Sequence, residues 1–343
     1  MAEPHPFLAA CRREKTSYTP VWLMRQAGRY MEEYRKLRAE FSFLELCKRS
    51  DLAAEITVAP VDKLGVDAAI LFADILLVLE PMGLGLEYSK DDGPVIRAQI
   101  RSRTDVEELN DFEPQTELSY VFETVRKARA ALDGKVPLIG FAGAPFTLAS
   151  YIVEGGGSRN YLKTKKLIYS DPGAWKALME RLATVVAKYL SAQIAAGAEA
   201  VQLFDSWAGC LSPADYQRYV LPYTRAAIAA ITPGTPVIHF STGTAGMLKL
   251  VREAGGGVIG VDWRINLDDA WAAVGHDVGI QGNLDPAALL AKPKEIRSRV
   301  EEILNRAGGR PGHIFNLGHG VFPETPVENV AAMVKAVHEL SAR

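Results

Sequence analysis

Short runs of apolar, β-branched and aromatic residues recur from one end of this chain to the other, separated by segments whose apolar residues repeat at helical spacing. Eight of these runs read as strands, at residues 20–24, 68–73, 136–141, 200–204, 236–240, 258–261, 278–281 and 313–317. Most are continuously hydrophobic, the pattern of a parallel sheet covered on both faces. Eight such strands alternating with helices predict an α/β fold, a single (β/α)8 TIM-type barrel, in preference to an open doubly wound sheet. No repeat, low-complexity tract or Pro/Ser-rich linker divides residues 1–343, so they read as one domain. Residues 84–100 interrupt the alternation after the second strand, and their Asp91-Asp92-Gly93-Pro94 turn predicts a hairpin inserted there.

The helices carry start signals. Ser212-Pro213, Asp285-Pro286 and Asp171-Pro172 each put a capping acceptor before a proline whose missing N–H costs nothing at the first helical position. Thr325-Pro326-Val327-Glu328 reads as a capping box, followed by an apolar stripe through Val330, Met333, Val334, Val337 and Leu340. Leu118, Val121, Phe122, Val125 and Leu132 form another stripe.

Charge and cysteine usage narrow the partners. With 39 Lys and Arg against 41 Asp and Glu, the net charge of -2 argues against a nucleic-acid footprint while leaving room for a local basic pocket. The three cysteines, Cys11, Cys47 and Cys210, show no zinc-site spacing and fit a reducing compartment. Residues 1–12 lack the pattern of a secretory signal, and no run of 18 apolar residues exists, so a cytoplasmic protein without a membrane span is expected.

In a barrel of this type the site lies at the C-terminal ends of the strands. After the first run comes Arg25-Gln26-Ala27-Gly28-Arg29, whose two guanidiniums fit either an oxyanion clamp or a solvated surface pair. Asp74 interrupts an apolar stretch, as an N-cap for a turn starting at Ile75 or as a buried carboxylate facing a ligand. After the third run, Gly140-Phe141-Ala142-Gly143-Ala144-Pro145-Phe146-Thr147 is rich in small residues. Tyr151 and Glu154-Gly155-Gly156-Gly157-Ser158-Arg159 follow, the glycines suiting a lid or an anion-binding nest. Asp205-Ser206-Trp207, His239-Phe240-Ser241, Asp262-Trp263 and Gly318-His319-Gly320 close later strands. Ser206 lacks a nucleophile elbow, and His319 between glycines suits a ligand role.

Two of these stretches are long and specific. Pro20-Val21-Trp22-Leu23-Met24-Arg25-Gln26-Ala27-Gly28-Arg29 resembles the first signature of the uroporphyrinogen decarboxylase family, and Gly140 to Leu148 with Tyr151 and Glu154 resembles the second. The likeness continues through Pro94-Val95-Ile96-Arg97, Leu203 to Gly209 and Asn316 to Gly320. It implies a barrel, usually a homodimer, that removes the four acetate carboxylates of uroporphyrinogen III to give coproporphyrinogen III without metal or organic cofactor. Carried over, the family's substrate contacts fall on Arg25, Gln26, Ala27, Gly28, Arg29, Asp74, Tyr151, Ser206 and His319. Arg159 stands where many relatives have Lys, with charge retained. The chemistry agrees: a polycarboxylate needs cations at its rim, and its pyrrole N–H groups need a central acceptor, which Asp74 supplies. Protonation of a pyrrole carbon creates the electron sink for decarboxylation, and arginine-assisted transfer is the expected source of that proton, although His319 has the better intrinsic pKa.

Two other functions were weighed. A corrinoid or thiol methyltransferase on a related barrel would need a His-x-Cys zinc site after the fifth strand, where this chain has His239-Phe240-Ser241. A non-catalytic tetrapyrrole-binding protein on a decayed scaffold is opposed by the intact set of site residues.

Overall fold

A computed structural model describes residues 5–89 and 93–343. Its main sheet is parallel, with seven strands: β1 (Ala69–Ile70), β4 (Leu138–Gly143), β5 (Ala200–Asp205), β6 (Val237–Ser241), β7 (Val258–Gly260), β8 (Gly279–Gln281) and β9 (His313–Ile314). They are ordered β1-β4-β5-β6-β7-β8-β9. Between β1 and β4 lies the insertion, whose strands β2 (Leu86–Ser89) and β3 (Gly93–Ile96) pair antiparallel. Asp91 and Asp92 of the expected turn lie outside the described residues.

The first expected strand is the exception. Residues 20–24 make one parallel bridge, Val21 to Phe315, in place of a ladder. Backbone bonds still run to both edges of the sheet, from Phe315 N–H to the Pro20 carbonyl (2.8 Å) and from Asp67 N–H to the Val21 carbonyl (2.8 Å). Side chains complete the seam. The Asp67 carboxylate accepts from Val21 N–H (2.7 Å), the Asn316 amide oxygen from Met24 N–H (3.3 Å), and the Gln26 amide spans Leu23 N–H (3.1 Å) and the Ala68 carbonyl (3.1 Å). The reason is local: Pro20 has no N–H to give, and Arg25 turns into the left-handed region (φ 56°), which ends any regular strand.

Two apolar layers hold the ring. Inside it Trp22, Met24, Ala68, Ile139, Ala200, Ile238, Phe240, Val258 and Ile314 pack together, and Phe7, Ala10 and Cys11 of helix Pro6–Cys11 join the same cluster. Across this interior the Trp22 indole donates to the Gln281 amide (2.9 Å), which donates to Gln202 (2.9 Å), a chain that ends on the Gln202 amide nitrogen, buried without a partner among the described residues. The outer layer lies between sheet and helices and includes Leu118, Val121, Phe122, Val125 and Leu132 of the expected stripe and Val330, Met333, Val334 and Val337 of the last helix.

Capping is as read at Asp171, Ser212 and Asp285, which accept from Ala174, Asp215 and Ala287 N–H. It is not so at Thr325. The chain enters the last helix, Val327–Ser341, at Val327 with Pro326 as cap, one residue later than a capping box on Thr325 needs, and the buried Thr325 hydroxyl has no hydrogen-bond partner.

Asp67 carries an unusual share of the closure, because the Tyr18 hydroxyl (2.8 Å) and His338 Nε2 (2.8 Å) also meet its carboxylate, tying the last helix to the seam. Asp67→Ala strands the buried Val21 N–H and releases both side chains. Urea unfolding should show a loss of about 2–4 kcal/mol. The exposed Lys188–Glu113 pair (2.6 Å) is a suitable contrast: Glu113→Gln should change stability by less than about 0.5 kcal/mol.

Candidate active site

The loop after the seam is built from beneath. Gln26 is buried with its amide occupied by backbone, and the Tyr30 hydroxyl donates to its carbonyl. Ala27 and Gly28 are half-buried above it, and Gly28 lies close enough to the Arg25 carbonyl that an added Cβ would come within 3.1 Å of it. Arg25 and Arg29 are exposed, and among the described residues neither makes an ion pair. The stem of Arg25 crosses Gly320 so closely that a Cβ there would come within 2.5 Å of Cδ. That glycine is what allows the guanidinium its course. Arg25 acts electrostatically on Asp74, Tyr151 and His319, whereas Arg29 acts on Tyr34.

Asp74 follows β1. Its Oδ1 accepts from Leu76 N–H (2.8 Å) at the start of a short turn that leads into the 3₁₀ segment Leu77–Leu79, so it is a cap. It also sits at the mouth of the ring, where surrounding protein raises its carboxyl above the usual carboxylate range. Desolvation is the largest cause, opposed by Tyr88, the Leu76 N–H and Arg25. Tyr151 stands on helix Pro145–Glu154, its hydroxyl pushed up to about 12, first by burial and then by the charge of Asp74. Its ring meets Trp207 edge-on at 5.8 Å, and Tyr161 lies 5.6 Å from the same indole. Phe141, Phe204 and Phe240 make successive edge contacts (5.5 and 5.8 Å) near the C-terminal ends of β4, β5 and β6, an aromatic layer under the mouth.

Ser206 follows β5 and is half-buried; its carbonyl accepts from the Thr242 hydroxyl (2.6 Å). Beneath it Asp205 is fully buried, accepts from the Thr147 hydroxyl (3.2 Å) and lies 3.9 Å from the equally buried His239. Asp205 Oδ2 and both ring nitrogens of His239 are buried without a hydrogen-bond partner among the described residues. Asp262 is likewise occupied, accepting from Gly243 N–H (2.7 Å) and pairing with Arg264 (2.5 Å), whose guanidinium lies 4.2 Å over Trp263. His319 is pushed down to about 4, chiefly by burial and further by Arg25 and Arg264, so its ring is neutral at neutral pH.

The glycine-rich segment is neither a free lid nor a bare nest. Gly155 (φ 87°) ends the Tyr151 helix, Gly156 bridges Val95, and the Ile96 N–H bonds to the Gly155 carbonyl (3.0 Å), so the insertion clasps this loop. Glu154 holds its far side by accepting from the Thr164 N–H (2.9 Å) and hydroxyl (2.8 Å). Through this clasp the structure brings in Tyr88, which the sequence reading missed. Among the described residues no group of three or more His, Cys, Asp or Glu could hold a metal. Burial raises the thiols of Cys11 and Cys47, and that of Cys210 to about 11, which keeps all three protonated at neutral pH.

Comparison with known proteins places these features. The family model for uroporphyrinogen decarboxylase matches residues 2–340. The chain is 58% identical over 337 residues to a uroporphyrinogen decarboxylase of Carboxydothermus hydrogenoformans, covering 98% of this chain and 96% of the relative. It is 57% identical over 335 residues to one of Sorangium cellulosum, covering 97% and 96%. Among solved structures, a methyltransferase from Methanosarcina mazei superposes with a TM-score of 0.83 at 21% identity over 97% of both chains, a likeness of fold.

The position of His319 makes a direct check possible. In ¹⁵N-detected NMR of the imidazole, its ring should stay neutral from about pH 8 to about pH 5 and titrate near 4. A midpoint at or above about 6 contradicts the environment described here.

Proposed function

The chain belongs to the uroporphyrinogen decarboxylase family and is a carboxy-lyase of tetrapyrrole biosynthesis acting on uroporphyrinogen, and from that premise we propose how its residues divide the work. Arg25 and Arg29 receive substrate carboxylates, Gln26 fixes their loop from below with Ala27 and Gly28 above it, and Asp74 accepts the pyrrole N–H groups at the centre. Tyr151, Ser206 and neutral His319 complete the polar wall. The observation that carries this reading is the combination of two guanidiniums that have no carboxylate partner among the described residues with one carboxylate in a recess that disfavours its charge.

The chemistry follows from charge. Protonating the ring carbon next to the one that bears an acetate makes the pyrrole cationic and leaves the acetate-bearing carbon conjugated with the iminium. The C–CO₂⁻ bond then breaks, its electron pair flows into the ring, and carbon dioxide leaves. Reprotonation of the exocyclic carbon gives the methyl group, and the ring proton is returned. Asp74 beside the nitrogens stabilises the cationic stage, an interaction stronger in the transition state than in the ground state. His319, neutral at neutral pH, is a poor source for the first proton, which favours transfer from water oriented by Arg25.

We read the product as coproporphyrinogen III and the working form as a cytoplasmic homodimer of one barrel domain spanning 1–343, without metal or organic cofactor. Family likeness supports this. No helix among the described residues is long and apolar enough to cross a membrane.

Anaerobic incubation with uroporphyrinogen III, followed by separation by carboxylate number, should show loss of all four acetate carboxylates; unchanged octacarboxylate would leave only binding. Asp74→Asn should lower turnover at least about tenfold, or about 1.4 kcal/mol of transition-state stabilisation. Unchanged turnover in a folded variant would reduce Asp74 to a cap.

A further inference from the structure

Asp74 has few groups to sustain its charge. One backbone donor, the Leu76 N–H, reaches Oδ1, and Arg25 is the cation that acts on it. The other titratable groups facing it are Cys47 from helix Phe43–Lys48, Tyr88 from β2, Tyr151 from helix Pro145–Glu154 and Tyr189 from helix Pro172–Ala196. Of these, Tyr88 is the one whose hydroxyl lies against the carboxylate. That hydroxyl oxygen is fully buried and, among the described residues, closes no hydrogen bond of ordinary geometry, with the Asp74 carboxylate the acceptor beside it. A buried phenol without a well-formed bond is held by something other than its own satisfaction.

What holds it is the insertion. Tyr88 pairs with Pro94 across the β2–β3 ladder, and its ring meets Phe43 edge-on at 5.0 Å. The β3 strand is fastened to the loop after Tyr151 through Val95–Gly156 and the Ile96 N–H to Gly155 bond. A Cβ on Gly156 would come within 2.7 Å of the Pro94 carbonyl, so that close approach depends on glycine. The phenol is thereby held against the helix Phe43–Lys48 by a hairpin that is itself fastened to the loop after Tyr151.

We propose that Tyr88 is a positioning residue for Asp74: delivered by the insertion, its hydroxyl donates to the carboxylate and keeps it ionised and directed at the ring nitrogens. The inference rests on the role given to Asp74 above. A hydrogen bond to the charged form favours that form, so removing the hydroxyl makes the carboxylate easier to protonate. Where turnover needs the ionised acid, activity is lost as pH falls through its pKa, and the variant loses it at higher pH.

Tyr88→Phe keeps the ring and its contact with Phe43, so folding is preserved. The test is the pH dependence of kcat/KM for uroporphyrinogen III, measured anaerobically in the parent, Tyr88→Phe and Asp74→Asn proteins. The substrate's own carboxylates titrate alike in all three. The expected result is an acid limb about one pH unit higher in Tyr88→Phe, a plateau within about threefold of the parent, and no such limb in the residual activity of Asp74→Asn. A Tyr88→Phe profile that superimposes on the parent, or falls equally at every pH, overturns the role of Tyr88 while leaving that of Asp74 standing. A limb that persists unchanged in Asp74→Asn removes Asp74 from its role and this inference with it.

Discussion

The closure of the barrel at residues 20–24 rests on side chains where the other strands use backbone. Asp67, Gln26 and Asn316 accept from Val21, Leu23 and Met24, the buried N–H groups that an eighth regular strand would have paired. Each such donor left unmet costs about 1–3 kcal/mol, so the seam depends on three particular side chains. The same atoms support the site. Gln26 is both a stitch in the seam and the floor of the loop that presents Arg25, and Asn316 lies three residues before His319. Stability and ligand geometry are therefore set by one network, and a change below the loop is felt at its cations.

This arrangement also explains what could be read from sequence. Seven of the eight apolar runs form strands because burial on both faces leaves an unambiguous signal, and Arg25, Asp74 and Tyr151 gather at one mouth because a parallel barrel puts all strand ends there. The first run misled because Pro20 and the left-handed Arg25 break a strand that hydrophobicity alone would extend. Thr325 misled by one residue, since a capping box is a matter of register. Tyr88 was not legible at all. Its approach to Asp74 depends on β3 docking against Gly156, a contact between segments about 60 residues apart that no local pattern encodes.

The behaviour of His319 belongs to the same class. Between two glycines it looks like an available acid, yet burial and two neighbouring guanidiniums, Arg25 and Arg264, favour the neutral ring. Its intrinsic pKa is outweighed by where the fold puts it. Of these two, Arg264 is paired with Asp262, and Arg25 is suited to something else. Many arginines of this chain are matched to carboxylates, as Arg97 is to Glu87 and Arg297 to Glu339, while Arg25 and Arg29 have none among the described residues. A net charge of -2 is thus compatible with a mouth that attracts polyanions, because many of the cations elsewhere are paired with carboxylates.

Asp74 then poses an electrostatic problem with a definite resolution. A carboxylate in a recess that resists its charge is a liability in the empty protein, and a polyanionic substrate adds repulsion to desolvation. In the proposed mechanism pyrrole N–H groups offset both, since they bring hydrogen-bond donors to Asp74 while the substrate carboxylates stay outside at the guanidiniums. The low effective dielectric that penalises the isolated acid also strengthens its attraction to a ring that has become cationic. In the proposed mechanism, burial of Asp74 therefore favours the protonated pyrrole over the neutral one, and the groups that keep the acid ionised before substrate arrives are as much a part of catalysis as the acid itself.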